Sequence, residues 1–465
     1  MKATRKVAII AIIVVLSACL LTYLMPFKPP WEETLEFLWS KTIGSHPPTT
    51  STTVSPTALA KETEAPILKR VTTASTKTVT PAPPHLPARG EWIIFGKKGK
   101  LYTISSDGKV LKCLGGPFTS FAGSSSTGDR IAIVMPGKEG GLTILNPDGT
   151  GRRVVDKPYG GSTYHPTILW SPDGGKVAYL SDENYLYVVN VDGSGKAKIG
   201  KVYSSQAGLH HVVWNVAAWS PDGKKIAYLS SEGNLYVADP DGRGKHRLDT
   251  RVEGKFGWGA KGRLIAYRKR NYTLYVVKAD GSGRVKLAEM DMFRPDDWFW
   301  SPSGFKLVHS GLDGMKLSIF DENGNLLRSI PLGTCNQLYG FSPSGRYLAF
   351  YNYSLEYNYL GILDLETGSL TTLDGKRYMF ISWSPAEDKF LCLDEESGDV
   401  VIMSPEGEAK ATIIEPDRFF KPMVKWFPSG KKIAFIRDGD LYVINVDGTG
   451  EIKLVEDVYA FWPIG

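Results

Sequence analysis

Aromatic rings and imidazoles that stand close to carboxylates are the residues of this chain best suited to chemistry. They occur in three short segments, each just ahead of a strand signal that ends in tryptophan. Rings give a flat apolar surface and aspartates accept hydrogen bonds, a combination that suits a sugar or peptide ligand. The sequence therefore predicts a ligand-binding rim. Its candidate residues are Tyr164, His165, His210, His211, Trp214, Asp296, Asp297 and Trp298.

Two other interpretations of these residues stay open. His165 and the pair His210 and His211 come from neighbouring repeats and could share a metal ion, because imidazole is a common metal ligand. The plainer interpretation is ordinary packing at the rim of a folded domain. Nowhere else does the sequence place cysteine, histidine and carboxylate residues at metal-ligand spacing. We therefore predict no metal and no cofactor.

A phrase that recurs along the chain positions these segments. Trp-Ser-Pro-Asp-Gly begins at Trp170 and again at Trp219. Degraded copies follow at spacings of roughly 40 to 50 residues, a period typical of radial arrays of four-stranded sheets. The sequence therefore predicts an all-β fold, a single β-propeller of four-stranded blades. The degraded copies are anchored at Trp258, Trp300, Phe341, Trp383 and Trp426.

The number of blades follows from nine second-strand signals. Eight is the alternative, because the fifth repeat is the shortest and has Gly259–Gly262 in place of Ser-Pro-Asp-Gly. The first signal, Trp92–Phe95, has no strand before it. The last segment, Val458–Pro463, contains the anchor-like Trp462 and has no second strand after it. We predict that this C-terminal strand completes the first blade and closes the ring.

Recurrent Asp-Gly pairs such as Asp192 and Gly193 mark tight turns. Proline presets φ, aspartate supplies a side-chain hydrogen bond and glycine adopts positive φ. Calcium wants about six to eight oxygen ligands, and each turn offers two oxygen-bearing side chains. The anchor tryptophans are predicted to wedge between neighbouring sheets. We therefore interpret the repeated aspartates as turn residues and the repeated tryptophans as inter-blade packing.

The recurring phrase resembles the repeats of TolB-like and WD-like propellers, and it is also similar to the propeller domains of prolyl-oligopeptidase-type peptidases. The resemblance covers about Ala88 to Gly465 and implies the fold. This chain departs from TolB in having an apolar N-terminal segment and a stalk where that protein has a separate domain. A Tol-Pal role is therefore not implied.

Catalytic motifs of the related enzymes are missing from the sequence. An α/β-hydrolase needs a Gly-x-Ser-x-Gly nucleophile elbow, and the nearest string, Gly123–Gly128, has Thr127 where the second glycine must stand. The Ser-x-Asp-x-Gly-x-Thr-Trp box of sialidase-type propellers is also missing. We therefore predict that the protein is not an enzyme.

The N-terminus has the features of a membrane anchor. A basic cluster precedes residues 7–25, which carry no charge and as a helix span about 28 Å, close to the hydrocarbon thickness of about 30 Å. The basic side faces the cytoplasm, so the rest of the chain lies outside. Two alternatives stay open. Leu16–Cys19 matches a lipobox with Cys19 as the lipidated residue, and a cleaved secretory signal is the other.

The predicted organisation has four parts. Residues 1–28 form the anchor, 29–44 a short juxtamembrane helix, 45–87 a Thr/Ser/Pro-rich linker that cannot offset its ordering entropy by burial, and 88–465 the propeller. Asn271 and Asn352 open N-glycosylation acceptor patterns and are predicted to lie between second and third strands, exposed on the face that carries the rim. Such glycans agree with an external location.

The charge distribution and the cysteines limit the classes of partner and function that the sequence supports. A net charge of +6 is scattered through the turns, so we predict no nucleic-acid partner. Cys113, Cys335 and Cys392 are expected to pack as small core residues. The sequence favours an extracytoplasmic, membrane-anchored propeller that binds a protein, peptide or glycan without catalysis. The alternatives are a structural cell-envelope component, or the propeller subunit of a peptidase or glycan-acting enzyme.

Overall fold

The structure is a computed structural model that describes most of the repeat region. The described residues are 90–117, 119–136, 140–156, 168–181, 183–202, 216–290, 298–310, 316–331, 336–352, 359–373, 377–414 and 423–465. All of them belong to one compact unit, Ala82–Gly465. The predicted anchor, juxtamembrane helix and linker lie outside them, as does Cys19. Within these ranges no helix is long and apolar enough to cross a membrane.

The described residues form nine four-stranded antiparallel sheets, which we number as blades 1 to 9 along the chain. Blade 1 contains β1 (Trp92–Lys97), β2 (Lys100–Ser105), β3 (Leu111–Gly115) and, from the far end of the chain, β36 (Ala460–Ile464). Blade 2 contains β4 (Ser120–Ser124), β5 (Ile131–Met135), β6 (Gly141–Leu145) and β7 (Arg153–Asp156). Blade 3 contains β8 (Ile168–Trp170), β9 (Lys176–Leu180), β10 (Tyr185–Asn190) and β11 (Ala197–Lys201).

The next three blades continue the pattern. Blade 4 contains β12 (Ala217–Trp219), β13 (Ile226–Leu229), β14 (Leu235–Ala238) and β15 (His246–Asp249). Blade 5 contains β16 (Val252–Gly259), a 3-10 helix (Ala260–Gly262), β17 (Leu264–Lys269), β18 (Thr273–Lys278) and β19 (Val285–Glu289). Blade 6 contains β20 (Trp298–Trp300), β21 (Lys306–Ser310), β22 (Lys316–Asp321) and β23 (Leu326–Pro331).

The last three blades complete the ring. Blade 7 contains β24 (Asn336–Phe341), β25 (Tyr347–Asn352), β26 (Tyr359–Asp364) and β27 (Leu370–Leu373). Blade 8 contains β28 (Tyr378–Trp383), β29 (Phe390–Asp394), β30 (Val400–Met403) and β31 (Ala409–Ile414). Blade 9 contains β32 (Val424–Trp426), β33 (Lys432–Arg437), β34 (Asp440–Asn445) and β35 (Ile452–Val455). The prediction of nine blades is confirmed, and the fifth repeat forms a full sheet.

The ring closes through the C-terminal strand, as predicted. β36 pairs antiparallel with β1, so that Phe461 lies opposite Phe95 and Pro463 opposite Ile93. Glu91 adds a polar contact between the ends of the ring, because Lys432 of blade 9 lies 3.1 Å from its carboxylate. The two ends of the repeat array are therefore joined without a covalent bond.

Each blade is held by apolar burial on both faces. The strands alternate side chains between the two faces, and the described residues form nine apolar clusters, each shared by two adjacent blades. One of these clusters joins blade 9 to blade 1 through residues such as Phe427, Phe95 and Phe461. The core is thus a series of interfaces arranged around the ring, which lengthens with the number of repeats.

Anchor tryptophans fill these interfaces and also donate hydrogen bonds across them. In the described part of the ring, four indole N–H groups bind a first-strand carbonyl of the preceding blade, which supports the predicted wedge. The four pairs are Trp219 with Leu169, Trp258 with Ala218, Trp300 with Gly257 and Trp383 with Gly340, at N···O distances of 3.0 to 3.1 Å.

Trp462 differs from the other anchors, and the expectation that it has their role is wrong. It lies opposite Ile94 in the β1–β36 pair, which turns its ring toward blade 2. There it contacts Phe121, with ring centroids 5.2 Å apart. A shift of one residue in a strand moves a side chain to the other face. The strand therefore closes the ring while Phe461, next to Trp462, packs against blade 9.

The repeated aspartates form turns, as the sequence indicates. Asp173 accepts hydrogen bonds from the Ser171 hydroxyl and, at 3.0 Å, from the Gly175 amide. Hydrogen bonding by Ser171 lowers the pKa of this carboxyl. Asp192 accepts in the same way from the amide and hydroxyl of Ser194, at 2.9 and 2.6 Å. Within the described ranges no three metal-ligating side chains come together.

Truncation of Phe461 tests the importance of the closing strand. Phe461 is 1% exposed, so Phe461→Ala is expected to lower the free energy of unfolding by about 3–5 kcal/mol. The control is Leu326→Ala on the outer strand β23, whose side chain is 56% exposed and whose loss should cost within about 0.5 kcal/mol. Urea unfolding followed by tryptophan fluorescence measures both. Equal stability of the two variants would contradict the closing role.

Candidate functional site

The strand order gives the ring two faces with different connections. The turns from first to second strand and from third to fourth strand lie on one side, which we call the turn face. The connections from second to third strand and from fourth strand to the next blade lie on the other side, the loop face. First strands of neighbouring blades contact one another, so they surround the axis.

Most of the predicted rim lies outside the described residues. This applies to Tyr164 and His165, to His210, His211 and Trp214, and to Asp296 and Asp297. The strands that flank these segments end on the loop face, as the sequence predicts. Whether the segments form one ligand site or a metal site stays a prediction.

Trp298 is the one rim candidate that the structure describes, and it is not a surface residue. It opens β20 and is 1% exposed. Its ring packs in the interface between blades 5 and 6 against Ala266 and Leu307. Its prediction as an exposed ligand-binding ring is therefore wrong, because the alternation of β20 turns it toward blade 5.

Two buried polar residues lie at the same loop-face end of this interface as Trp298. Leu264 and Ala266 pack toward blade 6, so strand alternation places Arg268 on the same face; it is 3% exposed. His309 lies directly opposite Trp298 in the β20–β21 pair and is 1% exposed. Neither residue is among the rim candidates predicted from the sequence.

Comparison with the other blades shows why His309 is unusual. Its position in the second strand carries Tyr228 and Tyr267 in blades 4 and 5, and Phe350 in blade 7. Substitution of an aromatic residue by histidine at one repeat was a signal visible in the sequence. In the described part of the chain neither imidazole nitrogen of His309 has a hydrogen-bond partner.

A tyrosine–aspartate couple occupies the corresponding place in other interfaces. Tyr267 donates to Asp249 on the outer strand of blade 4, with Oη···Oδ2 of 2.6 Å. Asp249 also binds Lys269 at 3.0 Å and Arg284 at 3.1 Å. Burial raises the pKa of this carboxyl, but its hydrogen bonds, led by that from Tyr267, outweigh burial and leave the pKa lowered. Tyr179 and Asp156 repeat the couple at 2.6 Å.

The loop-face end of the interface between blades 5 and 6 carries a set of hydrogen-bond donors. Lys255 donates to the Trp298 carbonyl at 2.6 Å and lies 3.9 Å from the Phe299 ring centroid. Within the described residues the Trp298 indole N–H has no acceptor. The ammonium of Lys255, the guanidinium of Arg268, the indole of Trp298 and the imidazole of His309 therefore all lie at the loop-face end of the interface between blades 5 and 6. Such donors are suited to carboxylate, carbonyl and hydroxyl oxygens.

The two glycosylation candidates differ in accessibility. Asn271 is exposed in the turn between β17 and β18, as predicted. Asn352 instead ends β25 and is 3% exposed, and its amide donates to the Tyr359 hydroxyl at 2.7 Å. The expectation that Asn352 lies exposed between strands is wrong, because it is the last paired residue of β25.

The cysteines also differ in their burial. Cys392 is buried in the interface of blades 7 and 8, as predicted, and burial raises the pKa of its thiol. Cys113 lies on the outer strand β3 and is exposed, so its prediction as a core residue is wrong. Cys335 lies outside the described residues.

Comparisons with known proteins assign no family to this chain. No protein-family model matches the chain, and no curated protein is significantly similar to it. Among solved structures, the C-terminal WD40 domain of Sif2 is 14% identical with a TM-score of 0.43, covering 68% of this chain and 91% of that one. The resemblance to TolB-like and peptidase-type propellers stays an expectation.

Two further structures are similar at the same level. Dihydro-heme d1 dehydrogenase NirN in complex with DHE is 15% identical with a TM-score of 0.44, covering 74% of each chain. A eukaryotic initiation factor is 12% identical with a TM-score of 0.41, covering 81% of this chain and 98% of that one. At such values we draw no function from them.

Removal of single tyrosine hydroxyls compares an interface that has a tyrosine–aspartate couple with one that lacks the aspartate. Tyr267→Phe is expected to cost about 1–3 kcal/mol of unfolding free energy, because it takes a donor from buried Asp249. Tyr228→Phe is the matched control. Gly200 stands where its aspartate would be, and within the described residues the Tyr228 hydroxyl has no partner. Its removal should be neutral or stabilising. Urea unfolding compares the two, and a larger loss for Tyr228→Phe would contradict this account.

His309 is expected to make the free energy of unfolding depend on pH in the acidic range. Burial lowers the pKa of its imidazole to about 4, below the unfolded value near 6.5. The unfolded chain therefore binds the proton first, and stability falls as pH drops from about 6.5 to about 4, by about 3 kcal/mol. His309→Phe places the residue of blade 7 at this position and should remove this part of the pH dependence. Unfolding curves at pH 7 and pH 4.5 test it, and identical pH dependence in both proteins would refute it.

Proposed function

We propose that the protein is an extracytoplasmic, membrane-anchored recognition module that binds a protein, peptide or glycan on the loop face without catalysis. One observation carries the proposal. At the loop-face end of blades 5 and 6, Arg268, Trp298 and His309 replace the apolar and tyrosine–aspartate packing of other interfaces. Buried polar groups cost free energy that a scaffold alone does not require.

The contrast between the two faces supports the same site. On the turn face the repeats agree, since the Ser-Pro-Asp-Gly and Asp-Gly turns recur with the same hydrogen bonds. On the loop face the connections differ in length and sequence from blade to blade. Scaffold positions repeat because each blade needs them, whereas a ligand needs one particular set of side chains.

The membrane attachment rests on the N-terminal sequence. Residues 7–25 are uncharged and follow a basic cluster, and the Thr/Ser/Pro-rich linker follows before the ring. Exposed Asn271 offers a glycan acceptor compatible with this location. A propeller carried in this way would meet ligands outside the cell.

Binding to defined arrays tests the recognition function. The detergent-solubilised full chain is screened against immobilised glycans and peptides, and ligands found are measured by calorimetry. Asp296→Asn with Asp297→Asn is expected to lower affinity at least about tenfold, since charged hydrogen bonds contribute about 1.5–3 kcal/mol. Asp192→Asn with Asp447→Asn removes the same charge from the turn face and should leave affinity within about twofold.

The same arrays report the alternative outcomes. Mass spectra of the bound ligands should show no change of mass, and a converted ligand would refute the non-catalytic role. Equal affinity of the wild type and the Asp296 and Asp297 variant would exclude the loop-face site. Fractionation with and without residues 1–28 shows whether the chain needs this segment to sediment with membranes, and sedimentation without it would refute the anchor.

A further inference from the structure

A cavity of about 550 Å³ opens on the turn face where blades 4, 5 and 6 meet. Gly262, Leu264 and Ala279 of blade 5 form its apolar wall. The volume lies within the usual range of small-molecule sites, about 300–1,000 Å³. The charged and titratable residues that line it are Lys225, His246, Arg263, Lys278, Asp280 and Glu322.

The cavity coincides with a reversal of charge between the second and third strands of blade 5. There the facing pair is Leu264 and Lys278. In blade 4, Lys225 just before the second strand binds Asp239 just after the third, with Nζ···Oδ1 of 2.7 Å. Three further blades place a lysine opposite an asparagine or aspartate here: Lys176 with Asn190, Lys306 with Asp321 and Lys432 with Asn445.

This reversal has two physical consequences. Leucine is shorter than lysine and apolar, so Leu264 does not cross to the third strand as Lys225 does in blade 4. The position of Asp239, an acceptor in blade 4, carries an ammonium group on Lys278. Blade 5 therefore has open space and a displaced positive charge at the same place.

The preceding turn changes in the same direction. Ser-Pro-Asp is replaced in blade 5, and Lys261 occupies the position that Asp222 has in blade 4. Lys261 adopts a left-handed φ of 53°, whereas Asp222 does not have positive φ. The turn of blade 5 therefore has a different backbone as well as a cation in place of the carboxylate. Blade 5 thus exchanges two acceptor side chains for two ammonium groups on this face.

The acidic residues around the cavity already have partners. Glu322 of blade 6 binds Arg263 at 3.1 Å. Asp280 accepts from the amide and hydroxyl of Ser282 at 2.8 and 2.7 Å, and these bonds lower the pKa of its carboxyl. His246 spans blades 4 and 5, with Nε2 2.8 Å from the Ala279 carbonyl, so the wall on that side is held in position.

We infer that this cavity binds a compact organic anion. Its phosphate or carboxylate group would bind the ammonium group of Lys278 through a strong charge-assisted hydrogen bond. Lys225 and Arg263, each already in one ion pair, would lie beside it. Its remaining atoms would pack on Leu264 and Ala279. The site is on the opposite face from the proposed recognition site and does not depend on it.

Calorimetry with three probes of similar size tests the inference. Glucose 6-phosphate and glucuronate carry the two anionic groups, and glucose carries neither. Binding of at least one anionic probe at millimolar concentration or below, weakened by added salt, is expected. Glucose should show no binding. Failure of both anions, or equal binding of glucose, would overturn the inference. The anion that binds more tightly shows whether the site prefers a phosphate or a carboxylate group.

Variants that restore the common repeat localise the site. Lys278→Asn introduces the residue that blades 3 and 9 carry at this position and is expected to weaken binding about 10- to 100-fold. Leu264→Lys with Lys278→Asp rebuilds the blade 4 arrangement and should abolish binding. The control, Lys224→Asn, removes an exposed charge from the neighbouring turn and should change affinity less than about threefold. Equal losses for Lys224→Asn and Lys278→Asn would overturn the site.

These measurements are distinct from those on the loop face. The Asp296 and Asp297 variant should bind the anionic probes with unchanged affinity. A loss of probe binding in that variant would overturn the assignment to the turn face. Thermal unfolding of each variant checks that Lys278→Asn remains folded. The variant with Leu264→Lys and Lys278→Asp gives an independent test, because it carries the residue pair of blade 4.

Discussion

Burial of both faces of every sheet is the constraint on which the rest of this structure depends. A four-stranded sheet with apolar side chains on both faces needs a neighbour on each side, and only a closed ring provides this for all nine sheets. The apolar cluster shared by blades 9 and 1 is therefore as necessary as any other. The pairing of β36 with β1 supplies it, and the tryptophan hydrogen bonds between first strands add direction to contacts that are otherwise apolar.

Within such a ring, polar residues between blades are costly unless they are paired. The couple of Tyr267 and Asp249 is paired and gains two basic neighbours. The interface of blades 5 and 6 has no such couple, because Ala288 stands at the position of Asp249 and His309 at that of the tyrosine. Blade 5 also departs from the repeat on its turn face, where Leu264 faces Lys278. Blade 5 therefore differs from the common repeat on both faces of the ring, and it fits the shared scaffold pattern least well.

The misplaced candidates have a common cause. The sequence pattern places Trp298 before the first strand of blade 6 and Asn352 after the second strand of blade 7, which predicts that both are exposed in loops. Each is in fact a strand residue whose side chain turns into an interface, with 1% and 3% exposure. The sequence pattern does not distinguish Arg268 from an ordinary strand residue. For His309 it offers one signal, a histidine where blades 4, 5 and 7 carry an aromatic ring. The start or end of a strand decides whether a side chain is buried, and a boundary of one residue is the least reliable part of a sequence-based prediction.

The sequence by itself determined the architecture: the four-stranded repeat, nine blades, the turn role of the aspartates and closure by the C-terminal strand. It could do so because these features depend on local turn chemistry and on a pattern repeated many times. Only the tertiary structure decided which residues meet across an interface. The orientation of Trp462 toward blade 2, the buried imidazole of His309 and the cavity beside Lys278 depend on how the side chains of one blade pack against the next blade. Such contacts have no local signature, because each is set by the side chains of the adjacent blade.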